Sequence, residues 1–177
     1  MIRLAALVAM LAWPAMAETV PEPDSYRGEP YRAPVPATLA GAQVIDGEQA
    51  IALHDAGKAV FVDVFPRVTR PEGLPEDTLW REPPHQTIPG AVWLWNTGYQ
   101  ALSPDEQARL RDGLTAAQGD SDLPLVIFCR EECWMSWNAA RRAMEWGYSP
   151  VYWFPGGTDD WQAEGGSSLV TAEPVDP

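Results

Sequence analysis

Leu125-Val126-Ile127-Phe128-Cys129-Arg130-Glu131-Glu132-Cys133-Trp134 is the stretch that decides the fold. Four apolar residues with no polar break mark a strand covered on both faces of a sheet. Charge replaces hydrophobicity at Arg130, so the strand ends at Cys129. A helix then begins near Cys133 or Trp134. Ala139, Ala140, Ala143 and Met144 make its apolar stripe, and Gly147 stops it. A strand that turns through a short loop into a helix is half of a parallel βαβ unit. Ligands of such sheets gather beyond the C-terminal ends of strands, which is where Cys129 stands.

The pattern repeats on both sides. Ala59 to Val64 is another continuous apolar run, and Ala91–Leu94 and Val151–Phe154 are shorter ones. Asp46 with Gln49 reads as a capping box that opens a helix ending at Gly57. Ser103-Pro104-Asp105-Glu106 opens a second, running to about Gln118, and Thr158 to Ala163 gives a last helical turn. Strands alternating with helices predict an α/β fold, an open parallel sheet flanked by helices. Residues 66–90 read as a long loop. Residues 18–40 hold Pro21, Pro23, Pro30, Pro34 and Pro36 and read as an extended arm, with Tyr26 and Tyr31 placed to pin it. Residues 166–177 read as a loose tail.

Residues 1–17 carry the marks of a cleaved export signal. Arg3 supplies the positive start, Leu4 to Trp13 the apolar core, Pro14 the break and Ala15-Met16-Ala17 the small-x-small site. The apolar stretch is well short of the ~20 residues of a membrane span. No other run is long enough either, so no span is expected after cleavage. Loss of Arg3 takes the net charge from −13 to −14. A chain so acidic repels phosphate backbones, which argues against nucleic acid as a partner.

Cys129 and Cys133 are the only cysteines. Two cysteines four apart close too small a loop to brace a fold, so an exported chain points to a local redox or nucleophile pair. Backbone amides of a loop entering a helix can converge on an anion and lower a thiol pKa. On this reasoning Cys129 is expected to be the more exposed and reactive thiol, with Cys133 lower, near the first helical turn. Glu131 and Glu132 oppose a thiolate, against one Arg130. Asp63 ends a buried strand and is placed to brace the loop by accepting amide hydrogen bonds. Trp134 either caps the pocket or fills the core. His54 reads as a surface residue and His85 as a loop histidine. No haem-attachment or metal-ligand spacing occurs, so no cofactor or metal is expected.

From Val126 to Trp161 the chain resembles the active-site half of rhodanese domains. That half is a strand, a Cys-led loop, a helix ending in Gly147-Tyr148, a strand with Val151-Tyr152, then Gly156-Gly157 and Trp161. Val62-Asp63-Val64 is similar to the family's Asp-Val-Arg strand end, and Ile88-Pro89-Gly90-Ala91 resembles its His-Ile-Pro-Gly-Ala turn. The resemblance spans about residues 42–164 and implies a rhodanese-like domain over 41–165. It puts His85 on the side rhodaneses use for substrate. It departs where Phe65 stands for the Arg, with Arg67 two places on. More narrowly, Cys-x-x-x-Cys-Trp followed by Met135-Ser136-Trp137-Asn138 resembles the pyrroloquinoline-quinone (PQQ)-dependent catabolism-associated CXXCW motif proteins, although three residues part the cysteines here. Arg67, Trp80-Arg81 and Trp93-Leu94-Trp95-Asn96 fit the same group. That resemblance implies a periplasmic setting beside a quinoprotein dehydrogenase or its cytochrome c.

Three functions stay open at this point. Cys129 could carry a persulfide between a small sulfur donor and an acceptor. Cys129 and Cys133 could exchange with thiols, one resolving the other. Or the pair could be a structural disulfide in a binding module that docks a quinoprotein through its Trp-rich surface. The acidic loop predicts weak thiosulfate:cyanide sulfurtransferase activity at most, raised by replacing Glu131 and Glu132 with Gln. Brisk turnover that vanishes in Cys129→Ser would refute this electrostatic argument.

Overall fold

Residues 20–176 are described by the computed structural model, so the export signal at 1–17 lies outside the described residues. The chain enters as an extended arm and then forms β1 (Gln43–Val44). Helix α1 (Gly47–Asp55) follows, and its Asp46–Gln49 capping box is formed in both directions. Then come β2 (Val60–Asp63), β3 (Gln86–Thr87) and β4 (Val92–Trp93). Helix α2 (Pro104–Gln118) starts on the Ser103–Glu106 box, with Pro104 in the first turn. The chain continues through β5 (Leu125–Phe128), α3 (Trp134–Glu145) and β6 (Val151–Phe154). It closes with α4 (Gly157–Ala163) and β7 (Val170–Thr171).

Five strands make the expected open sheet, in the order β1-β6-β5-β2-β4, with every neighbouring pair parallel. Strand β5 is central and all four of its residues are buried. Its side chains alternate between two cores, as the pleat requires. Leu125 and Ile127 join Leu110 and Leu114 of α2 and Ala139, Ala140 and Ala143 of α3. Val126 and Phe128 join Ala50 of α1 and Trp161 of α4. Helices therefore cover both faces, which explains why the strand sequences are apolar without alternation. Each large side chain buried in this way contributes roughly 1.5–3 kcal/mol.

Two surface expectations change, the loose tail and the surface placement of His54. The segment read as a loose tail is bound: β7 pairs antiparallel with β3, Val175 N–H donates to the Trp93 carbonyl, and Val175 O accepts from Trp95 Nε1 and Arg109 Nε. Short backbone ladders carry little hydrophobic signal, so neither β3 nor β7 was legible beforehand. His54 is not a free surface residue. Its ring packs on Phe61 and Trp161, with centroids 5.6 and 5.0 Å away, and its Nε2 meets the Pro89 carbonyl at 2.9 Å. The Pro-rich arm lies against α3. Arg27 N–H donates to Asn138, Asn138 Nδ2 donates back to the Arg27 carbonyl, and Arg141 donates to the carbonyls of Pro23 and Asp24.

Tyr26 is one pin of that arm. Its hydroxyl donates to Glu145 and its ring lies 3.9 Å from the Arg142 guanidinium. Burial first, and the Glu145 hydrogen bond second, push its pKa up to about 12 from 10.0. A folded pKa above the unfolded one means that stability from Tyr26 is whole below pH 10 and lost as pH rises through 12. Protection of the arm's amides against exchange is expected to hold up to pH 10 and fall across that window. Tyr26→Phe should weaken protection at neutral pH and abolish the step.

Candidate active site

Cys129 leaves the end of central strand β5, and the loop to α3 closes on itself through a Cys129–Cys133 disulfide. The Cα atoms are 6.3 Å apart, inside the range a disulfide spans without moving the backbone. The coupled pair expected from spacing is thus joined. The expected exposure is not found: Cys129 and Cys133 are 1% and 2% exposed. The Cys129 side chain is covered by the core on the α2 and α3 face, while α4 returns against its backbone. Thr158 N–H donates to the Cys129 carbonyl at 3.2 Å, and Arg130 bridges to Gly157. Gly157 has φ +52°, and a Cβ there would overlap the Cys129 carbonyl, so this approach requires glycine. The Gly156-Gly157 pair of the sequence is what lets the last helix sit on the loop.

The loop's polar groups are largely committed. Asp159 accepts from Glu131 N–H at 3.0 Å and from Arg130 Nη2 at 2.9 Å. The Arg130 hydrogen bond, ahead of the Glu131 amide, holds the Asp159 carboxyl below its ordinary value, and Asp159 in turn raises Arg130. Glu132 takes the left-handed conformation at φ 52°, and its carbonyl accepts from Ala33 N–H. Trp134 N–H, the first amide of α3, donates to the Tyr31 carbonyl at 2.9 Å, and Arg32 bridges to Cys133. Two amides that could have faced an anion on Cys129 are therefore spent on Asp159 and on the arm. Glu131 and Glu132 themselves are exposed.

Asp63 ends β2 beside the loop but does not brace it. Its Oδ1 accepts from Phe65 N–H at 2.8 Å; its Oδ2 accepts from Thr87 Oγ1 at 2.6 Å and meets His85 Nε2 at 2.7 Å. His85 is stacked on Phe65, with centroids 4.9 Å apart, and tilted against Trp93. An acceptor-only carboxylate on Nε2 fixes the proton there. His85 then lines a polar cleft of 620 Å³ with Phe65, Arg130, Thr158, Asp159 and Gln162. Thus His85, Arg130 and the Cys loop share one end of the sheet. The cysteines are not in that cleft's wall. Cys133 instead lines a second cavity of 440 Å³, and Cys129 does not.

Two candidates fall elsewhere. Arg67 ion-pairs with Glu82 at 2.7 Å and with Asp176, and lies 5.2 Å from the Trp95 ring, so it ties the long loop to the tail. Two residues beyond Phe65, the chain has already turned away from the cysteines. Trp134 fills the core at 3% exposure, edge-on to Trp137, with Arg27 5.6 Å from its ring. Asp159, Arg32, Tyr99 and Phe65 were missed as wall or anchor residues. Only Asp159 had a signal, its place just after Gly156-Gly157. Among the described residues no cluster of His, Cys, Asp or Glu is placed to hold a metal.

Removing the Asp63 carboxylate would orphan three buried or part-buried donors, each costing about 1–3 kcal/mol. Asp63→Ala is expected to lower unfolding stability by about 3 kcal/mol or more in urea titrations. A loss under about 1 kcal/mol would show that the cluster adds nothing.

The rhodanese-like domain model matches residues 46–164. No curated protein matches the chain. Among solved structures it is similar to a thiosulfate sulfurtransferase from Pseudomonas aeruginosa, at 18% identity and a TM-score of 0.51, over 75% of this chain and 21% of that one. It is also similar to a protein of unknown function, possible tyrosine phosphatase, from Rhodopseudomonas palustris CGA009. There the identity is 25% and the TM-score 0.45, over 72% of this chain and 84% of that one. An uncharacterized protein from Saccharomyces cerevisiae matches at 22% identity and a TM-score of 0.40, over 71% and 95%. The sulfurtransferase likeness is one of fold, and the chain spans only about a fifth of that enzyme. Since the matched region covers most of the sequence and contains four of the five sheet strands, the Cys-led loop and the glycine pair, this chain belongs to the rhodanese-like domain family.

Proposed function

We propose that this is a periplasmic rhodanese-like protein that works by thiol–disulfide exchange at Cys129 and Cys133, as an accessory to PQQ-dependent alcohol oxidation. The disulfide across the loop at the end of β5 carries the reading. A bridged Cys129 has no thiolate with which to take sulfur from a donor. Two loop amides that would stabilise a persulfide are already donated to Asp159 and Tyr31. Sulfur transfer is therefore the lesser use of this loop, open only to the reduced form. In exchange, a thiol attacks one sulfur, the other leaves as a thiolate, and a second thiol resolves the mixed disulfide and leaves the pair reduced. The compartment rests on the export pattern of residues 1–17, and the setting on the resemblance of the Cys-x-x-x-Cys-Trp segment. A quinoprotein dehydrogenase or its cytochrome c is the proposed partner there, and a small thiol or sulfur donor the proposed co-reactant.

The burial of both sulfurs favours a second reading, a structural disulfide in a non-catalytic accessory module. Chain entropy separates the two. Closing so short a loop contributes only about 2 kcal/mol, so the fold should survive reduction if exchange is its use. Protein isolated from the periplasm should take up no alkylating mass tag until reduced, and two tags afterwards. In redox buffers the pair is expected to titrate reversibly above about −300 mV with the fold retained. A lower potential, or unfolding on reduction, would assign the structural role.

A further inference from the structure

We infer that Cys133, not Cys129, is the sulfur at which external reactants enter, and that the reactant is a small thiol or disulfide with an apolar body and a carboxylate. This rests on the exchange reading above and assigns its entry point and substrate class.

The cavity over the loop is the first observation. Its 440 Å³ falls in the range of small-molecule sites. Cys133 is in its wall with Tyr31, Phe65 and Tyr99, while Cys129 is not and packs in the core between the sheet and α2 and α3. Tyr31 and Tyr99 meet edge to face with centroids 5.4 Å apart, which gives the cavity a rigid apolar side. The second observation is charge. Arg32 and Arg130 line the cavity against Glu29. Arg130 is neutralised by Asp159. Arg32 makes no ion pair among the described residues, so it is the wall cation free to meet an anion, with Glu29 the one carboxylate beside it. The third is access. A disulfide to another protein requires its Cα within about 4.4–6.8 Å of the Cys133 Cα. The arm strand at Tyr31–Arg32 runs directly against Cys133, so a partner's backbone cannot come that close. A small thiol needs no such approach.

The chemistry balances as follows. A thiolate R–S⁻ attacks Cys133 Sγ, a Cys133–S–S–R bond forms, and the bond to Cys129 breaks. Cys129 leaves with the electron pair and takes a proton from water. A second thiolate attacks the R-bearing sulfur and yields R–S–S–R and the Cys133 thiolate. Two thiols are oxidised and the protein disulfide is reduced.

The single-cysteine variants Cys129→Ser and Cys133→Ser, each checked for native circular dichroism, are reacted with Ellman's reagent, an aromatic disulfide carrying carboxylates, and with cationic cystamine. The expected result is at least tenfold faster reaction of the Cys133 thiol with Ellman's reagent than of the Cys129 thiol. Adding Arg32→Gln should slow the Cys133 reaction several-fold and leave cystamine unaffected or faster. Equal rates at both cysteines, or no preference for the anionic reagent, would overturn the assignment. Wild-type protein provides the second arm: acid quench and peptide mapping after brief exposure to 4-mercaptophenylacetate should place the adduct on Cys133 and a free thiol on Cys129. An adduct on Cys129 defeats the entry-point inference alone. A disulfide that excess thiol opens only after denaturation defeats the exchange reading itself.

Discussion

The carbonyl of Cys129 accepts a hydrogen bond from Thr158, across a gap that Gly157 alone leaves open. That contact is where the central strand, the reactive loop and the last helix meet. A side chain at Gly157 would push α4 off the loop backbone and pull Asp159 away from the Glu131 amide. The docking of α4 on the loop backbone, the Arg130–Asp159 pair and the cleft beside His85 all depend on this close approach. Rigid placement of this kind is what lets a short disulfide loop hold two sulfurs in register without a larger framework.

Around that contact the charges are arranged against an anion on Cys129. Asp159 takes the guanidinium and an amide, and Asp63 stands fully satisfied on the neighbouring strand. The same fold that can cradle a persulfide here turns its donors inward. This agrees with an overall charge of −13 and with two carboxylates exposed on the loop. The cation left free is Arg32, and it belongs to the arm rather than to the loop.

The arm and the tail are additions to the family domain, and both reach the site. The arm supplies Tyr31 and Arg32 next to Cys133, and the tail anchors the long loop through β7 and Asp176. They lie outside the matched residues 46–164, so part of the wall around Cys133 is supplied by segments beyond the family match. Pro-rich backbone suits this use. It is extended before it docks, and ordering it costs less entropy than ordering a flexible chain would.

The sequence by itself determined the parallel sheet, the helix starts and the place of Cys129 at the end of a buried strand, because apolar periodicity and capping residues act locally. It also determined that Cys129 and Cys133 form one unit, since four positions of separation bring them within bonding reach. Only the tertiary structure decided that both are buried and that Cys133, not Cys129, borders a cavity. That depended on core packing between the sheet and α2 and α3, and on an arm strand about a hundred residues upstream, and no local pattern encodes either contact. It likewise moved Arg67 to the tail and Asp63 to His85, for a residue next to a motif can turn to whichever partner the packed chain brings nearest.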